Sequence, residues 1–301
     1  MKKTAILENT DLPGVLWLPQ GECRMVLQVV HGMTEHMGRY EALAGRLTEA
    51  GIAVAGFDLP GHGKNPGDPD CASLGELGWT RSLDQLAALS RALSKKLPGV
   101  PQAILGFSLG SFLVRDYLRT GREGLSRVLI LGSGDQPSAV LGLLKWLVKG
   151  QIRKAGFDST TALVQKLSFG AYNQKFRPSR TEADWLCADS RELDGYLADP
   201  LCRSSISSGL FWQLLDAMQR TGSDSYEYWD SDVPVLLLSG AEDPVGSAGK
   251  GMAALEKKMC AGGLKHVTLK LIPGARHDVL HEKACGGADL AAEAILDFLR
   301  P

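Results

Sequence analysis

The chain alternates between short apolar runs and longer segments in which apolar residues recur with helical spacing. The runs are rich in Val, Ile and Leu and contain few polar residues. Strands of a parallel sheet have this composition because helices cover both faces of the sheet. The pattern therefore predicts six buried parallel strands, over residues 25–30, 52–57, 103–106, 127–132, 235–240 and 267–272.

Amphipathic segments lie between these runs, most clearly over residues 40–50, 79–96 and 110–120. Each presents apolar residues at helical spacing on one side and polar residues on the other, which is typical of a helix on the surface of a core. Strands that alternate with helices predict a doubly wound α/β sheet.

The alternation stops between residues 135 and 232, which we call the cap segment. This segment reads as mostly helical and contains four of the six tryptophans, and the strand pattern resumes after it. An insertion between two strands of one sheet predicts a cap over the carboxyl ends of the strands, where open α/β sheets bind their ligands. We therefore expect an α/β core over residues 1–134 and 233–301, with a helical cap over residues 135–232.

Composition excludes several classes of protein. The 33 basic and 34 acidic residues give a formal net charge of −1, which does not favour nucleic acid as a partner. No run approaches the roughly 18 apolar residues of a membrane span, and Glu8, Asn9 and Asp11 interrupt the start of the chain, so no signal peptide is expected. The six cysteines are scattered without metal-ligand spacing, which favours reduced thiols and a cytoplasmic location.

A nucleophile is predicted at Ser108, in the segment Gly106-Phe107-Ser108-Leu109-Gly110. The segment follows an apolar strand and opens a helix, which is the context that a G-x-S-x-G turn requires. Glycines two residues before and after the serine allow the backbone to close tightly, so that the hydroxyl is raised above the sheet. The Leu109 N–H, at the start of the helix, is then placed to donate to an oxyanion.

A serine hydroxyl needs an imidazole base and a carboxylate that orients it. Of the three histidines after Ser108, we expect His277 to be the base because it follows the last predicted strand, and His281 to be a supporting polar group. For the acid, Asp243 and Glu242 both follow the strand at residues 235–240, and Pro244 after the aspartate favours Asp243. Asp278 is a weaker candidate because adjacent side chains point apart.

A second oxyanion donor is expected in the loop after the first predicted strand. The Met33 N–H follows the His31-Gly32 pair and is predicted to donate together with Leu109. The spacing of His31 and His36 does not place both on one face of a helix, so no metal site is expected, and His31 is predicted to brace the loop.

These motifs together resemble the monoacylglycerol lipase and lysophospholipase-like branch of the α/β hydrolases. The resemblance implies the α/β-hydrolase fold, the triad Ser108, Asp243 and His277, the donors Met33 and Leu109, a mobile cap over an acyl-chain pocket, and no cofactor. Ser111, Asp278 and His281 depart from the family pattern. The motifs lie at residues 31–40, 58–63, 106–110, 239–246 and 274–278.

The expected activity is hydrolysis of carboxylic esters with a hydrophobic acyl group, and the expected partner is a lipid-like small-molecule ester. A thioesterase, an amidase or an acyltransferase would use the same residues, and a non-catalytic ligand-binding protein is a further alternative. Residues 140–154 form either a lid helix that contacts a lipid surface transiently or a cap helix packed on the body with its lysines in water.

Overall fold

The computed structural model describes residues 1–6, 14–65, 67–119, 124–223 and 226–300. The predicted interruptions at Glu8, Asn9 and Asp11, and Thr120 at the end of a predicted helix, lie outside the described residues. Ten strands are described: β1 (Lys2–Ile6), β2 (Gly14–Leu18), β3 (Met25–Val30), β4 (Ile52–Phe57), β5 (Cys71–Ala72), β6 (Gln102–Phe107), β7 (Leu125–Leu131), β8 (Ser205–Ile206), β9 (Val235–Gly240) and β10 (Val267–Ile272).

The main sheet has eight strands in the order β1-β2-β4-β3-β6-β7-β9-β10. Strands β3, β4, β6, β7, β9 and β10 are parallel and correspond to the six predicted runs. The prediction that all six are buried was wrong for β10, which lies at the edge of the sheet and fully buries only Ile272. Every residue of β3, β4, β6 and β9 is buried, as strands covered on both faces must be. The predicted α/β fold is confirmed.

The sequence pattern did not predict β1 and β2, which extend one edge of the sheet in antiparallel orientation. Each has five residues, too few for alternation to stand out, and β1 begins with two exposed lysines. Short, charged edge strands are common because they discourage pairing with other chains.

Helices cover both faces of the sheet. They are α1 (Glu41–Glu49), α2 (Gly78–Lys96), α3 (Leu109–Leu118), α4 (Ser138–Ala155), α5 (Ala162–Gln165), α6 (Ala171–Asn173), α7 (Ser190–Ala198), α8 (Ser208–Ser223), α9 (Lys250–Ala261) and α10 (Gly287–Leu299). One core cluster joins α1 and α10 to one face of the sheet, and a second joins α2, α3, α8 and α9 to the other. Consecutive strand residues divide between the two clusters: Ile104 lies in one and Leu105 in the other.

Helix α3 differs from the amphipathic helix that the sequence pattern predicted. All ten of its residues are buried, because α2 and α8 pack over the side that faces away from the sheet. The helix that follows Ser108 therefore lies in the interior of the molecule and is held on every side.

The cap segment contains α4 to α8, together with a π-helical turn over Lys166–Gly170 and a 3-10 turn over Gln174–Phe176. Helix α8 packs against both α3 and α4, and its residues Leu210 and Leu215 belong to the same core cluster as α3. The segment is thus joined to the body through α8. Its role as a cap remains a prediction.

Helix α4 buries Leu141 and Val148 against the body and exposes a second set of apolar side chains. Leu143 is 60% exposed and Trp146 is 71% exposed, and Val140 beside them is also exposed. Lys145, expected in water, instead lies against Asp216 of α8, 2.5 Å from its carboxylate. Among the helices within the described ranges, none combines the length and the apolarity of a membrane span.

Candidate active site

Ser108 lies at the sharp turn between β6 and α3, with φ 51° and ψ −117°. This left-handed backbone is strained for a residue with a side chain, and such strain is common at functional sites. A Cβ atom on Gly110 would collide with the carbonyl oxygen of Val30, and one on Gly106 with the carbonyl oxygen of Gly110. Both glycines are therefore required for the turn to pack against β3.

The loops that carry Asp243 and His277 meet at the carboxyl ends of β9 and β10. The Nδ1 atom of His277 lies 3.0 Å from Oδ1 of Asp243. That oxygen also accepts from the Val245 N–H at 2.8 Å, and Oδ2 accepts from the Ser239 hydroxyl at 2.9 Å. Because the carboxylate only accepts, the imidazole proton resides on Nδ1, and Nε2 keeps its lone pair.

The structure brings Asp243 and not Glu242 to His277. Asp243 is fully buried, whereas Glu242 is exposed. Asp278 points away from the adjacent histidine and pairs with Arg39 at 2.6 Å, as expected for neighbouring side chains.

The imidazole of His277 is 1% exposed and packs between two aromatic rings. Its ring centroid lies 4.9 Å from that of Phe107, the residue before Ser108, and 5.1 Å from that of Trp185 in the cap segment. Its Nε2 atom is buried without a hydrogen-bond partner in the described part of the chain, so no bond to the Ser108 hydroxyl is formed. Hydrogen bonds of this kind are often long in free enzymes and tighten when substrate binds.

Trp185 covers the ring of His277. Its carbonyl accepts from the His277 N–H at 3.4 Å, and the Leu186 carbonyl accepts from the Asp278 N–H at 2.7 Å. The Tyr172 ring lies against Trp185, with centroids 5.2 Å apart, and burial together with the charge of Asp243 raises the pKa of the Tyr172 phenol to about 12. Through Trp185, the cap segment thus contacts the loop of His277 directly. This contact was not predicted from the sequence.

The loop after β3 leaves one backbone donor free. The Gly32 N–H donates to Oε1 of Glu35 at 2.6 Å, whereas no described acceptor takes the N–H of Met33. The Leu109 N–H, at the start of α3, likewise has no acceptor within the described ranges. Thr34 follows with φ 64°, a strained value for a β-branched residue, which shows how tightly the loop is turned.

His31 braces this loop, as predicted from the sequence. Its Nδ1 atom bonds to the Gly32 carbonyl at 2.7 Å, and its Nε2 atom accepts from the Leu59 N–H at 2.9 Å. Burial lowers the pKa of His31, so the ring stays neutral. Asp58 accepts from the Met37 and Lys64 N–H groups, both at 2.8 Å, and ties the two neighbouring loops together.

A buried ionic network, missed by the sequence analysis, supports the same loop. Glu35 accepts from Arg39 at 3.0 Å and from the Tyr40 hydroxyl at 2.8 Å, and Arg39 also pairs with Asp278. Burial alone would raise the pKa of Asp278, but the charges of His281 and Arg39 hold it well below its ordinary value. His281 has the supporting polar position that was expected, 2.9 Å from Asp278. The i, i+4 spacing of Glu35 and Arg39 was the available sequence signal.

Two further polar residues were also missed. Glu282 is fully buried and accepts from the Ala188 and Asp189 N–H groups at 2.7 and 3.1 Å, joining the cap segment to the base loop. The hydroxyl of Ser111, one of the departures from the family pattern, donates to the Ser108 carbonyl at 2.6 Å. It therefore stabilises the turn that carries Ser108.

One group of residues has the side chains that a metal site would need. The ligand atoms of His36, Asp199 and Cys202 lie within 4.8 Å of one another. However, Nδ1 of His36 accepts from the Gly38 N–H at 3.1 Å, which assigns the ring proton to Nε2, and Nε2 lies 2.9 Å from Asp199. His36 in this tautomer donates to Asp199 and has no lone pair to offer a metal.

Trp185 also lines a cleft of about 750 Å³, which we call the basic cleft. Thr34, in the loop after β3, lines it as well. Its apolar lining includes Phe169, Leu186 and Leu197, and its basic lining consists of Lys166, Arg177, Arg180 and Arg203.

The sequence from residue 21 to residue 284 matches the family model described as serine aminopeptidase, S33. The chain belongs to this family. It is a serine hydrolase of the α/β-hydrolase fold, and the predicted resemblance is confirmed.

Individual relatives agree with this assignment. The monoglyceride lipase of Homo sapiens is 28% identical over 89% of this chain and 79% of its own length. The monoacylglycerol lipase of Mycolicibacterium smegmatis is 26% identical over 89% of this chain and 86% of its own. A thermostable carboxyl esterase from Bacillus coagulans superposes with a TM-score of 0.84 at 23% identity, covering 99% of this chain and 96% of the esterase.

Proposed function

We propose that this serine hydrolase cleaves carboxylic esters with a hydrophobic acyl group, through an acyl-enzyme on Ser108. The observation that carries the proposal is the state of His277. Its Nδ1 is held by Asp243, its buried Nε2 has no partner in the described part of the chain, and its ring packs against Phe107, the residue before the strained turn of Ser108. A buried lone pair without a donor is unfavourable for stability and suits a general base.

In the first half-reaction, Nε2 of His277 takes the proton of the Ser108 hydroxyl while the oxygen attacks the ester carbonyl carbon. The carbonyl oxygen becomes an oxyanion, and the free N–H groups of Met33 and Leu109 donate to it. The C–O bond to the alcohol then breaks, and the alcohol leaves with the proton from His277.

In the second half-reaction, a water molecule attacks the acyl carbon and gives one proton to His277. The resulting intermediate collapses, the Ser108 oxygen regains that proton, and the carboxylic acid leaves. Asp243 stays ionised throughout and stabilises the imidazolium, because its two oxygens accept from Ser239, Val245 and His277.

We favour esters over thioesters and amides as substrates, and water over other acyl acceptors. The curated relatives named above are lipases of monoacylglycerols, which supports ester hydrolysis. The family description names an aminopeptidase, whose substrate carries a cationic amine. Four cations and a single acid, Glu182, line the basic cleft, and this balance disfavours such a substrate.

The proposal includes transient contact of α4 with a lipid surface. Leu143 and Trp146 are exposed on this helix, and Lys149 and Arg153 are exposed farther along it. Apolar side chains bordered by cations suit an anionic lipid surface. A cytoplasmic location is also proposed, supported by the free thiols of Cys260 and Cys285, which are exposed.

The proposal is tested with Ser108→Ala and with a fluorophosphonate probe. Turnover of p-nitrophenyl esters should fall by roughly 10⁴-fold or more, and covalent labelling should disappear, while the melting temperature changes little. Ser94→Ala, at an exposed serine of α2, is the control and should keep both.

A panel of substrates then tests which class of acyl bond the enzyme cleaves fastest. Monoacylglycerol and lysophospholipid are compared with a thioester and an amide of the same acyl chain, and the esters should be cleaved fastest. Turnover or labelling that survives in Ser108→Ala would refute the mechanism, and a preference for the amide would refute the substrate class.

A further inference from the structure

The basic cleft carries an excess of positive charge. Lys166, Arg177, Arg180 and Arg203 line it, and Glu182 is the acid among its lining residues. Arg180 is neutralised by Asp194, 2.7 Å away. For Lys166 and Arg177, which are exposed, no ion pair is formed within the described residues.

Arg203 is the unusual member of this set because it is buried, with 7% of its surface exposed. Its guanidinium donates to two carbonyl oxygens, those of Pro200 at 3.2 Å and Gly63 at 3.0 Å. Its Nε atom is buried without a hydrogen-bond partner, and no carboxylate pairs with it in the described part of the chain. Carbonyl oxygens orient a guanidinium but do not neutralise it, so the cleft wall keeps both a full charge and a spare donor.

The cleft adjoins the catalytic groups on two sides. The backbone N–H of Arg203 donates to the Thr34 carbonyl at 3.0 Å, and Thr34 directly follows the proposed oxyanion donor Met33. On the other side, Trp185 lines the cleft and contacts the ring of His277. Phe169, which also lines the cleft, stacks on Trp185 with ring centroids 5.6 Å apart.

We propose that the basic cleft binds a negatively charged head group on the alcohol part of the ester, so that the enzyme prefers an acylglycerol phosphate to a neutral acylglycerol. This inference rests on the proposed function and extends it from a hydrophobic acyl group to an anionic amphiphile. A phosphate accepts from guanidinium and ammonium donors at once, which is the chemistry that Lys166, Arg177 and Arg203 offer.

The test compares octanoyl glycerol with octanoyl glycerol phosphate, both below their critical micelle concentrations so that contact of α4 with aggregates does not contribute. The wild-type enzyme should show the higher kcat/KM for the phosphate, and added salt should reduce this preference because it screens exposed charges. Octanoyl glycerophosphocholine, in which a choline cation offsets the phosphate charge, should fall between the two.

The double variant Lys166→Gln, Arg177→Gln should lower the ratio of the two kcat/KM values on the order of tenfold, mainly through KM for the phosphate. The double variant Arg91→Gln, Lys95→Gln removes two exposed charges from α2 and is the matched control, which should keep the wild-type ratio. Arg203→Lys, which keeps the charge and loses the planar fork, should also lower the ratio.

Two results would overturn the inference: equal or faster cleavage of the neutral ester by the wild type, or an unchanged ratio in the Lys166 and Arg177 variant. In both cases the proposed function would stand, because neutral esters would still be hydrolysed through Ser108. If neither the octanoyl substrates nor p-nitrophenyl octanoate were cleaved, the proposed function would fail, and this inference with it.

Discussion

At the scale of single residues, the site depends on which of two adjacent carboxylates reaches the base. Asp243 is buried and bonded to Ser239, Val245 and His277, whereas Glu242 points into solvent. The three donors hold the buried Asp243 carboxylate in one position, and the carboxylate in turn fixes the orientation of the His277 imidazole before substrate binds.

We expect Asp243→Asn to lower kcat by roughly 10⁴-fold. An amide can donate to Nδ1, which would leave the proton on Nε2 and remove the base. Steady-state kinetics on a p-nitrophenyl ester measure the loss, with Glu242→Gln as the control because it changes the neighbouring carboxylate in the same way. Similar losses in both variants, or none in Asp243→Asn, would contradict the assignment.

Residue patterns predicted the nucleophile turn because its glycines and serine are local in sequence. The contacts of Arg39 with Asp278 and of Glu282 with Ala188 were not predictable, since 239 and 94 positions separate the partners. Such pairs form only when the fold brings distant loops together, and a single sequence carries no signal for them.

At the scale of elements, apolar composition predicted the six parallel strands, most clearly β3, β4, β6 and β9, because burial on both faces leaves an unbroken apolar run. It predicted α3 incorrectly as amphipathic, since α8 from the cap segment covers the side that would otherwise face water. It left α4 open between a lid helix and a packed cap helix, because helical spacing alone does not say which apolar side chains face the body. Packing between elements decided both cases.

The exposed stripe of α4 leads to a prediction at this scale. Leu143→Ser with Trp146→Ser should lower kcat/KM on vesicle-bound ester by roughly tenfold or more, since two large apolar groups would no longer enter the lipid surface. Hydrolysis of monomeric p-nitrophenyl butyrate should not change, because both side chains point into solvent.

Leu290→Ser is the matched control for this pair. Leu290 is an exposed leucine of α10, outside the cap segment, and its variant should keep wild-type activity on vesicles. If the α4 variant kept wild-type activity on vesicles as well as on p-nitrophenyl butyrate, α4 would not contact lipid.

At the scale of the whole molecule, two buried histidines help to join the loops around the site. His31 and His62 are both fully buried, with ring centroids 5.4 Å apart. Burial lowers the pKa of His62 to about 3, and the neighbouring His31 and Arg203 act in the same direction. His62 thus stays neutral in the folded protein, where its Nδ1 lies 2.8 Å from the Pro60 carbonyl.

This neutral histidine predicts how stability depends on pH. In the unfolded chain a histidine takes up its proton near pH 6.5, whereas His62 in the folded protein does so near pH 3. Between these values the unfolded state binds more protons, so acidification destabilises the fold, and His62 adds about 1.4 kcal/mol per pH unit to that loss. His62→Asn, whose amide can replace Nδ1–H as a donor, should therefore flatten the fall in unfolding free energy from pH 6 to pH 4. Urea unfolding across this range measures the slope, with exposed His266→Asn as the control; equal slopes in the wild type and His62→Asn would mean that His62 titrates alike in both states.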